Sequence, residues 1–294
     1  MTRMKVLVTG SGGQLGSELR ETAPENVNMV LEDRRLLDIA NAVEVKRYVH
    51  AERPDVVLNA AAYTAVDKAE AEPDKARSIN VDGAAHLADA ANDIGARLVH
   101  ISTDFVFSGR QSSPYSTESP TDPLSVYGVT KRDGEVAVAE RLPSHKILIV
   151  RTAWVYSTFG HNFVKTMLRL MSERAELDIV GDQIGTPTWA RALAKALWRM
   201  LALRLSGIHH WTDAGAASWY DFAAAIYDEG RALKLLTRDV KLRQIRTMDY
   251  PTPARRPAYS VLDKTATWQA LGEQPAHWRV ALRQMLQLSA QRAA

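Results

Sequence analysis

The chain has 294 residues, 46% of them hydrophobic, with 37 basic against 34 acidic side chains and a net charge of +3, enough for one large or two modest packed domains. The basic excess is dispersed, so no run of Lys and Arg is laid out to follow a nucleic-acid backbone, and no nucleic-acid partner is expected. The absence of cysteine excludes disulfides, thiolate metal sites and a cysteine nucleophile. No apolar run reaches the ~18 residues of a membrane span, and Met1–Met4 leads towards a strand without signal-peptide layout, so a cytoplasmic chain with no membrane partner is expected.

Lys5–Thr9 reads as a buried strand, followed by Gly10-Ser-Gly-Gly-Gln-Leu-Gly16 and a helix from Ser17. Glycine at 10, 13 and 16 permits a tight turn and close backbone approach to a pyrophosphate, which the helix N-terminus then faces with N–H donors. Val27–Glu32 is the second strand and runs into Glu32-Asp33-Arg34-Arg35. An acid at this distance is placed for the ribose hydroxyls of NAD, whereas the arginines suit the 2′-phosphate of NADP; both are present, so both cofactors stay open. Asp38 either caps the next helix or faces the adenine. That helix runs from Ala42 to Arg53 and stops at Pro54.

Asp55–Asn59 is the third strand, and the small residues Ala60–Ala62 after it leave room for a cofactor at the C-terminal edge of a parallel sheet. Asp67 and Glu70 read as solvated helix charges with local pairing. A helix of small residues spans about Ala76 to Ile94 and closes at Gly95. Arg97–Ser102 is the next strand, with Thr103 and Asp104 at its end; Thr103 either points into the cleft or bonds its own backbone. Pro114–Pro123 is a polar loop. Tyr127 then opens a helix and Lys131 lies one turn on, on the same face, where an ammonium lowers the pKa of a phenol.

Lys146–Val150 is a further strand, and beyond it come helices over 162–174, 190–205, 220–233 and 278–288. His209 and His210 are adjacent on a strand, point to opposite faces and cannot share a metal ion. Of the seven tryptophans, Trp189, Trp198, Trp219, Trp268 and Trp278 are core or helix-packing candidates, and Trp154 follows a strand end facing the cleft. Arg255 and Arg256, in a proline-rigid stretch, are candidates for a diphosphate. The fold class is α/β: a doubly wound, Rossmann-type parallel sheet over residues 1–150, and a smaller α/β substrate domain over 151–294 from which the chain crosses back.

The ordered set is similar to the extended short-chain dehydrogenase/reductase family over nearly the whole chain, and within it to reductases of keto sugars carried on dTDP. The residues that carry the resemblance are Gly10–Gly16, Asn59–Glu70, Ser102–Gly109, Tyr127-Gly-Val-Thr-Lys131, Arg151–Tyr156, Asn162–Met167, and Pro251–Ala254 with Arg256-Pro257. It implies Gly13, Gln14 and Leu15 against the cofactor pyrophosphate, Asp33, Asp38 and Ile39 around the adenosine, and Ala62, Tyr63 and Thr64 along the cofactor. It implies NADPH or NADH as cofactor and Thr103, Tyr127 and Lys131 as the catalytic set. Tyr127 gives a proton to the sugar oxygen at C4, and Lys131 also holds the nicotinamide ribose. Thr103, Asp104, Trp154 and Arg256 would meet the dTDP-sugar.

This chain departs from the pattern at Phe105, usually Tyr, and at Tyr63, commonly His. Some members join two subunits through magnesium; Glu18 fits one of those positions, but Arg191 puts a cation at another, which argues against a metal. The expected assembly is a monomer or homodimer. The alternatives are a nucleotide-sugar epimerase, against which Gln14-Leu15 argues, and a dinucleotide-binding regulatory subunit, against which the intact Thr103, Tyr127 and Lys131 argue.

Overall fold

In the computed structural model, which describes residues 3–293, strands and helices alternate through the first half of the chain. Met1 and Thr2, read above as leading into the first strand, lie outside the described residues. The elements are β1 (Met4–Thr9), α1 (Gln14–Glu21), β2 (Val27–Glu32), α2 (Ala42–Glu52), β3 (Val56–Asn59), α3 (Val66–Ala71), α4 (Pro73–Arg77), α5 (Gly83–Ile94), β4 (Arg97–Thr103), α6 (Val126–Arg141) and β5 (Ile147–Thr152). The second half adds β6 (Val155–Tyr156), α7 (Phe163–Glu173), β7 (Glu176–Val180), β8 (Ile184–Gly185), β9 (Thr188–Trp189), α8 (Ala190–Ala202) and β10 (Gly207–His210). It ends with β11 (Ala217–Ser218), α9 (Trp219–Ala232), β12 (Lys241–Ile245), α10 (Thr265–Leu271) and α11 (Trp278–Ala293).

Six strands form one parallel sheet in the order β2-β1-β3-β4-β5-β10. Alternate residues of each strand face opposite sides, and both sides are apolar because helices cover both. Val6, Val8, Leu58, Val99 and Val150 pack with Leu15 and Leu19 of α1 and with Leu193 and Leu197 of α8. Leu7, Val57, Leu98 and Ile149 pack on the other side with α2, α5 and Val138 of α6. Each such side chain, fully buried, contributes about 1.5–3 kcal/mol. The sheet is the doubly wound α/β arrangement read from the sequence. α8 and β10 come from the second half of the chain yet complete the sheet layer. A separate apolar cluster gathers Met167 and Met171 of α7, Phe222 and Ile226 of α9, and Leu282 and Met285 of α11.

Local signals account for several boundaries. Asn41 caps α2 by accepting from Glu44 N, and Arg53 ends it at φ +45 before Pro54. The helix expected over Ala76–Ile94 starts earlier, at Pro73, and is broken by a π-turn over Ser78–Asp82. Within it lies Asn80, whose amide Oδ1 accepts from Tyr63 N (2.8 Å) while Nδ2 donates to Tyr63 O (3.2 Å) and Thr130 Oγ1 (3.0 Å). The extra residue in the turn lets one side chain serve two other segments. No helix among the described residues is long and apolar enough to cross a membrane.

Two buried charges sit below the C-terminal edge of the sheet. Glu135 of α6 and Arg151 of β5 form a two-pronged pair, 2.9 and 2.7 Å, with both side chains 6% exposed or less. Removing one partner strands the other in a dry site. Glu135→Ala is therefore expected to lose about 3–5 kcal/mol of unfolding free energy in a urea titration, with little dependence on salt.

Asp213, fully buried after β10, accepts from Trp189 N at 2.9 Å, and its other oxygen has no hydrogen-bond partner. Burial pushes its carboxyl up to about 8. Between the ordinary carboxylate value and about 8 the folded protein holds a proton that the unfolded chain has released, so Asp213 costs stability as pH rises through that window. Asp213→Asn removes the titration. The variant's melting temperature should gain on the parent's between pH 5 and pH 8; a constant difference would contradict the assignment.

Candidate active site

The sheet order reverses between β1 and β3, and the loops that leave these strands open a crevice at their C-terminal ends. Gly10 ends β1 at φ +70, and a Cβ there would lie 2.7 Å from the Ala61 backbone. Only glycine lets the two loops come so close. Gly13 is the N-cap of α1 and brings no side chain to cover that helix end. The crevice widens into a cleft of about 1010 Å³ that also reaches Gln14, Leu15 and Ala60. Gly16 does not line it: its Cβ would meet Gly10 O and Ser11 Cα at 2.5 Å, so it packs the helix under the loop.

At one end of the cleft lie Asp33, Arg34, Leu37, Asp38 and Ile39. Arg35 is tied to Asp33 (2.8 Å), which holds the Asp33 carboxyl below the usual range, and Arg35 is 90% exposed and outside the cleft. Arg34 is the arginine that borders it. Asp38 does not cap α2, a task Asn41 performs; it accepts from Ala40 N at 3.1 Å and shapes the turn. Ala62, Tyr63 and Thr64 form a side wall, with the Tyr63 backbone fixed by Asn80 and its hydroxyl donating to Glu72 (2.9 Å). Burial and that carboxylate raise the Tyr63 phenol. Lys68, Glu72, Lys75 and Asn162, which the sequence reading left unassigned, share the cleft.

Thr103, Asp104, Tyr127 and Lys131 meet where β4 ends and α6 begins. Ser125 caps α6, accepting from Gly128 N (3.2 Å). Glu70 is not a solvated charge: it accepts from Val126 N at 2.9 Å and holds the first residue of the same helix. Both readings of Thr103 apply, since it lines the cleft while its hydroxyl accepts from Phe105 N (3.2 Å) and donates to Asp104 (3.0 Å). Asp104 is 1% exposed and its other oxygen accepts from Ser260 (2.5 Å). Burial pushes its carboxyl up to about 6.

The four-residue spacing predicts that Lys131 lowers the Tyr127 pKa. In this structure burial pushes the half-buried phenol up to about 12, partly countered by the Thr103 hydroxyl and reinforced by Asp104. Lys131 is itself buried and donates to Ile101 O at 2.6 Å. Burial draws its ammonium down to about 8, against the opposing pull of Glu135.

Trp154 reaches the cleft from the end of β5 with φ +47, a backbone region that costs a bulky residue about 1–3 kcal/mol. Its ring stacks on Trp219 with centroids 3.5 Å apart and planes 6° apart. Trp219 therefore lines the cleft too, and is not the simple core residue its helical position suggested. Arg256 closes the cleft from the proline-rich segment, while Arg255 is exposed outside it. Asp67, also read as a solvated charge, pairs with Arg256 at 2.7 Å and accepts from Ala254 N at 3.3 Å. Glu18 lies below, accepting from Ser157 (2.7 Å), and the Arg191 guanidinium stands 3.5 Å from its second oxygen. A cation of the chain itself thus faces the carboxylate.

Residues 4–291 match the family model described as the RmlD substrate binding domain. The chain is 42% identical to the spore coat polysaccharide biosynthesis protein SpsK of Bacillus subtilis over 284 residues, covering 96% of this chain and 97% of that one. It is 42% identical to the dTDP-4-dehydrorhamnose reductase of Aggregatibacter actinomycetemcomitans over 287 residues, 95% of this chain and 97% of that one. The crystal structure of dTDP-4-dehydrorhamnose reductase from Bacillus anthracis, solved in complex with NADP, superposes with a TM-score of 0.92 at 36% identity. It covers 98% of this chain and all of that one (100%). With its cleft at the switch point of the sheet and matches of this extent, the chain belongs to the dTDP-4-dehydrorhamnose reductase family.

Proposed function

We propose that the protein reduces the C4 keto group of dTDP-4-dehydrorhamnose, a dTDP-4-dehydro-6-deoxy-L-hexose, to give dTDP-L-rhamnose, with NADPH as the reductant. The observation that carries this reading is the meeting of Thr103 and Tyr127 in one cleft that the glycine loop and the Trp154–Trp219 stack also line. The glycine loop fits a pyrophosphate, since Gly13 leaves the N–H groups at the start of α1 without a side chain over them and Gly10 lets the Ala61 loop close in beside them. Gly10, Gly13, Gln14 and Leu15 would bind that group. Asp33, Asp38 and Ile39 would surround the adenosine, and Ala62, Tyr63 and Thr64 would lie along the dinucleotide. Arg34 at the cleft edge supports NADPH over NADH, because a guanidinium pairs well with a 2′-phosphate. Bound there, NADPH would supply the hydride.

The chain's own residues do the rest. Thr103 turns its one hydroxyl proton from Asp104 to the keto oxygen, where negative charge grows as the carbonyl is reduced. Tyr127 gives its proton to that oxygen, and with its pKa raised to about 12 it is protonated and ready at neutral pH. Lys131 lies one turn on, ready to hold the ribose and return a proton to the phenolate. Trp154 and Trp219 present a flat apolar wall to the nucleotide-sugar. Arg256, anchored by Asp67, faces the diphosphate. In this arrangement residues 1–150 hold the cofactor and supply Thr103 and Tyr127, and residues 151–294 mainly hold the sugar nucleotide.

Tyr127→Phe removes the proton donor and keeps the ring that meets Phe105 edge-on at 5.6 Å. It should lower kcat by about 10²–10⁴-fold and leave NADPH affinity intact, read from NADPH absorbance and a binding titration. Near-normal turnover would remove Tyr127 from the mechanism. Arg256→Ala should raise KM for the sugar nucleotide about tenfold, an effect of about 1.4 kcal/mol, with a smaller change in kcat. An unchanged KM would take Arg256 out of the substrate site.

A further inference from the structure

A row of buried polar side chains crosses the sheet behind Lys131: Thr9 on β1, Asn59 on β3 and His100 on β4, each 1% exposed. Hydrogen-bond direction along this row can be settled from one end. The backbone N–H of Ala61 can only donate, and it donates to Asn59 Oδ1 at 3.2 Å. Thr9 Oγ1 donates to the same oxygen at 2.8 Å. The amide orientation is thereby fixed, and Asn59 Nδ2 faces His100 Nδ1 at 3.1 Å. An amide nitrogen has only protons to offer, so Nδ1 is the bare acceptor. A neutral ring then carries its proton on Nε2, the atom 3.5 Å from Lys131 Nζ. Burial and the Lys131 charge hold His100 well below the ordinary imidazole value, so the ring stays neutral.

The geometry points to His100 as a positioning residue that presents a proton, not a lone pair, to Lys131, and so favours the amine form of that lysine. This inference rests on the reductase reading above for its role in turnover. Tyr127 loses its O–H proton to the sugar oxygen and is left as phenolate. Lys131 restores it by giving up one N–H proton, and the amine that remains accepts from His100 Nε2–H. A proton from water returns Lys131 to the ammonium. The other groups around Lys131 pull differently. Ile101 O at 2.6 Å favours a donor. Glu135, one turn along α6, favours the ammonium but is shared with Arg151, and Asp104 acts on Tyr127. His100 is the neighbour that stabilises the deprotonated state.

The test reads the tautomer directly. Long-range proton–nitrogen correlation spectra of full-length protein labelled with ¹⁵N-histidine resolve its eight histidines, and His100→Gln identifies the His100 signals. A neutral Nε2–H ring that does not titrate from about pH 5 to 8 is expected, where an ordinary imidazole loses its charge. An Nδ1–H ring, or one that titrates there, overturns the proposal. In steady-state assays with NADPH and dTDP-4-dehydrorhamnose, His100→Leu should lower kcat at least about tenfold, with KM for NADPH within about twofold, as expected for misplacement of a catalytic group. His100→Gln, whose Nε2 keeps an N–H near the same place, should recover most of that loss. A His100→Leu enzyme with parental kcat, or no recovery in the glutamine variant, also overturns it. A parent protein that oxidises no NADPH with this sugar overturns the proposed function instead, and the spectra still decide the tautomer.

Discussion

The position of α6 depends on the two-pronged pair of Glu135 and Arg151. Ser102 of β4 donates to Glu135 as well, and Arg151 Nη1 lies 3.5 Å from His210 Nε2 of β10. Four elements therefore meet at one pair of charges. Such a pair is not the most stable filling for a dry interior, because apolar side chains of like shape avoid its desolvation. Its effect is directional. A planar guanidinium gripping both carboxylate oxygens allows one arrangement of the two backbones. It sets the rotation of α6 about its axis. Lys131 and Tyr127, one and two turns upstream of Glu135, then face the C-terminal edge of the sheet together.

The start and the middle of α6 are fixed by close approach. A Cβ at Gly128 would lie 2.9 Å from Pro123 Cβ and closer still to Phe105 O, and one at Gly134 would collide with Asn80 O. These two glycines let the helix settle against the loop after β4 and against the π-turn. The π-turn is thus part of the site's framework, since Asn80 joins Tyr63 on one wall to Thr130 beside Lys131. Glu70 completes the fixing from α3, replacing a missing intrahelical partner at the helix start. A rigid helix anchored at its start and its middle keeps two side chains aligned more closely than a loop would.

What the sequence made legible is what depends on neighbours in the chain. The strand–glycine–helix turn at Lys5–Ser17 announces itself because the strand, the φ > 0 residue and the helix start are contiguous. The spacing of Tyr127 and Lys131 is likewise a property of one helix. The pairing of Asp67 with Arg256 spans 189 residues and cannot be seen in either segment alone. Asp67 and Glu70 look like ordinary surface charges until the proline-rich segment and α6 are placed against them. Trp219 misled for a related reason: its place at the start of α9 suits a packing residue, and only the φ +47 turn at Trp154 brings the two indoles together. The row from Thr9 to His100 needs three strands in register before it exists.

The electrostatics of Tyr127 changed most between sequence and structure. A lysine one turn away suggests a phenol made more acidic, and so a group able to serve as acid or base. Burial of the phenol and the carboxyl of Asp104 nearby outweigh the help from Thr103. A phenol raised to about 12 is almost wholly protonated at neutral pH, which suits donation to a growing alkoxide. It is a poor form for taking a proton from an alcohol. Lys131, drawn down to about 8 by burial, is by contrast able to change charge near neutral pH. The site so arranged is biased towards giving protons, the direction that reduction of a ketone requires.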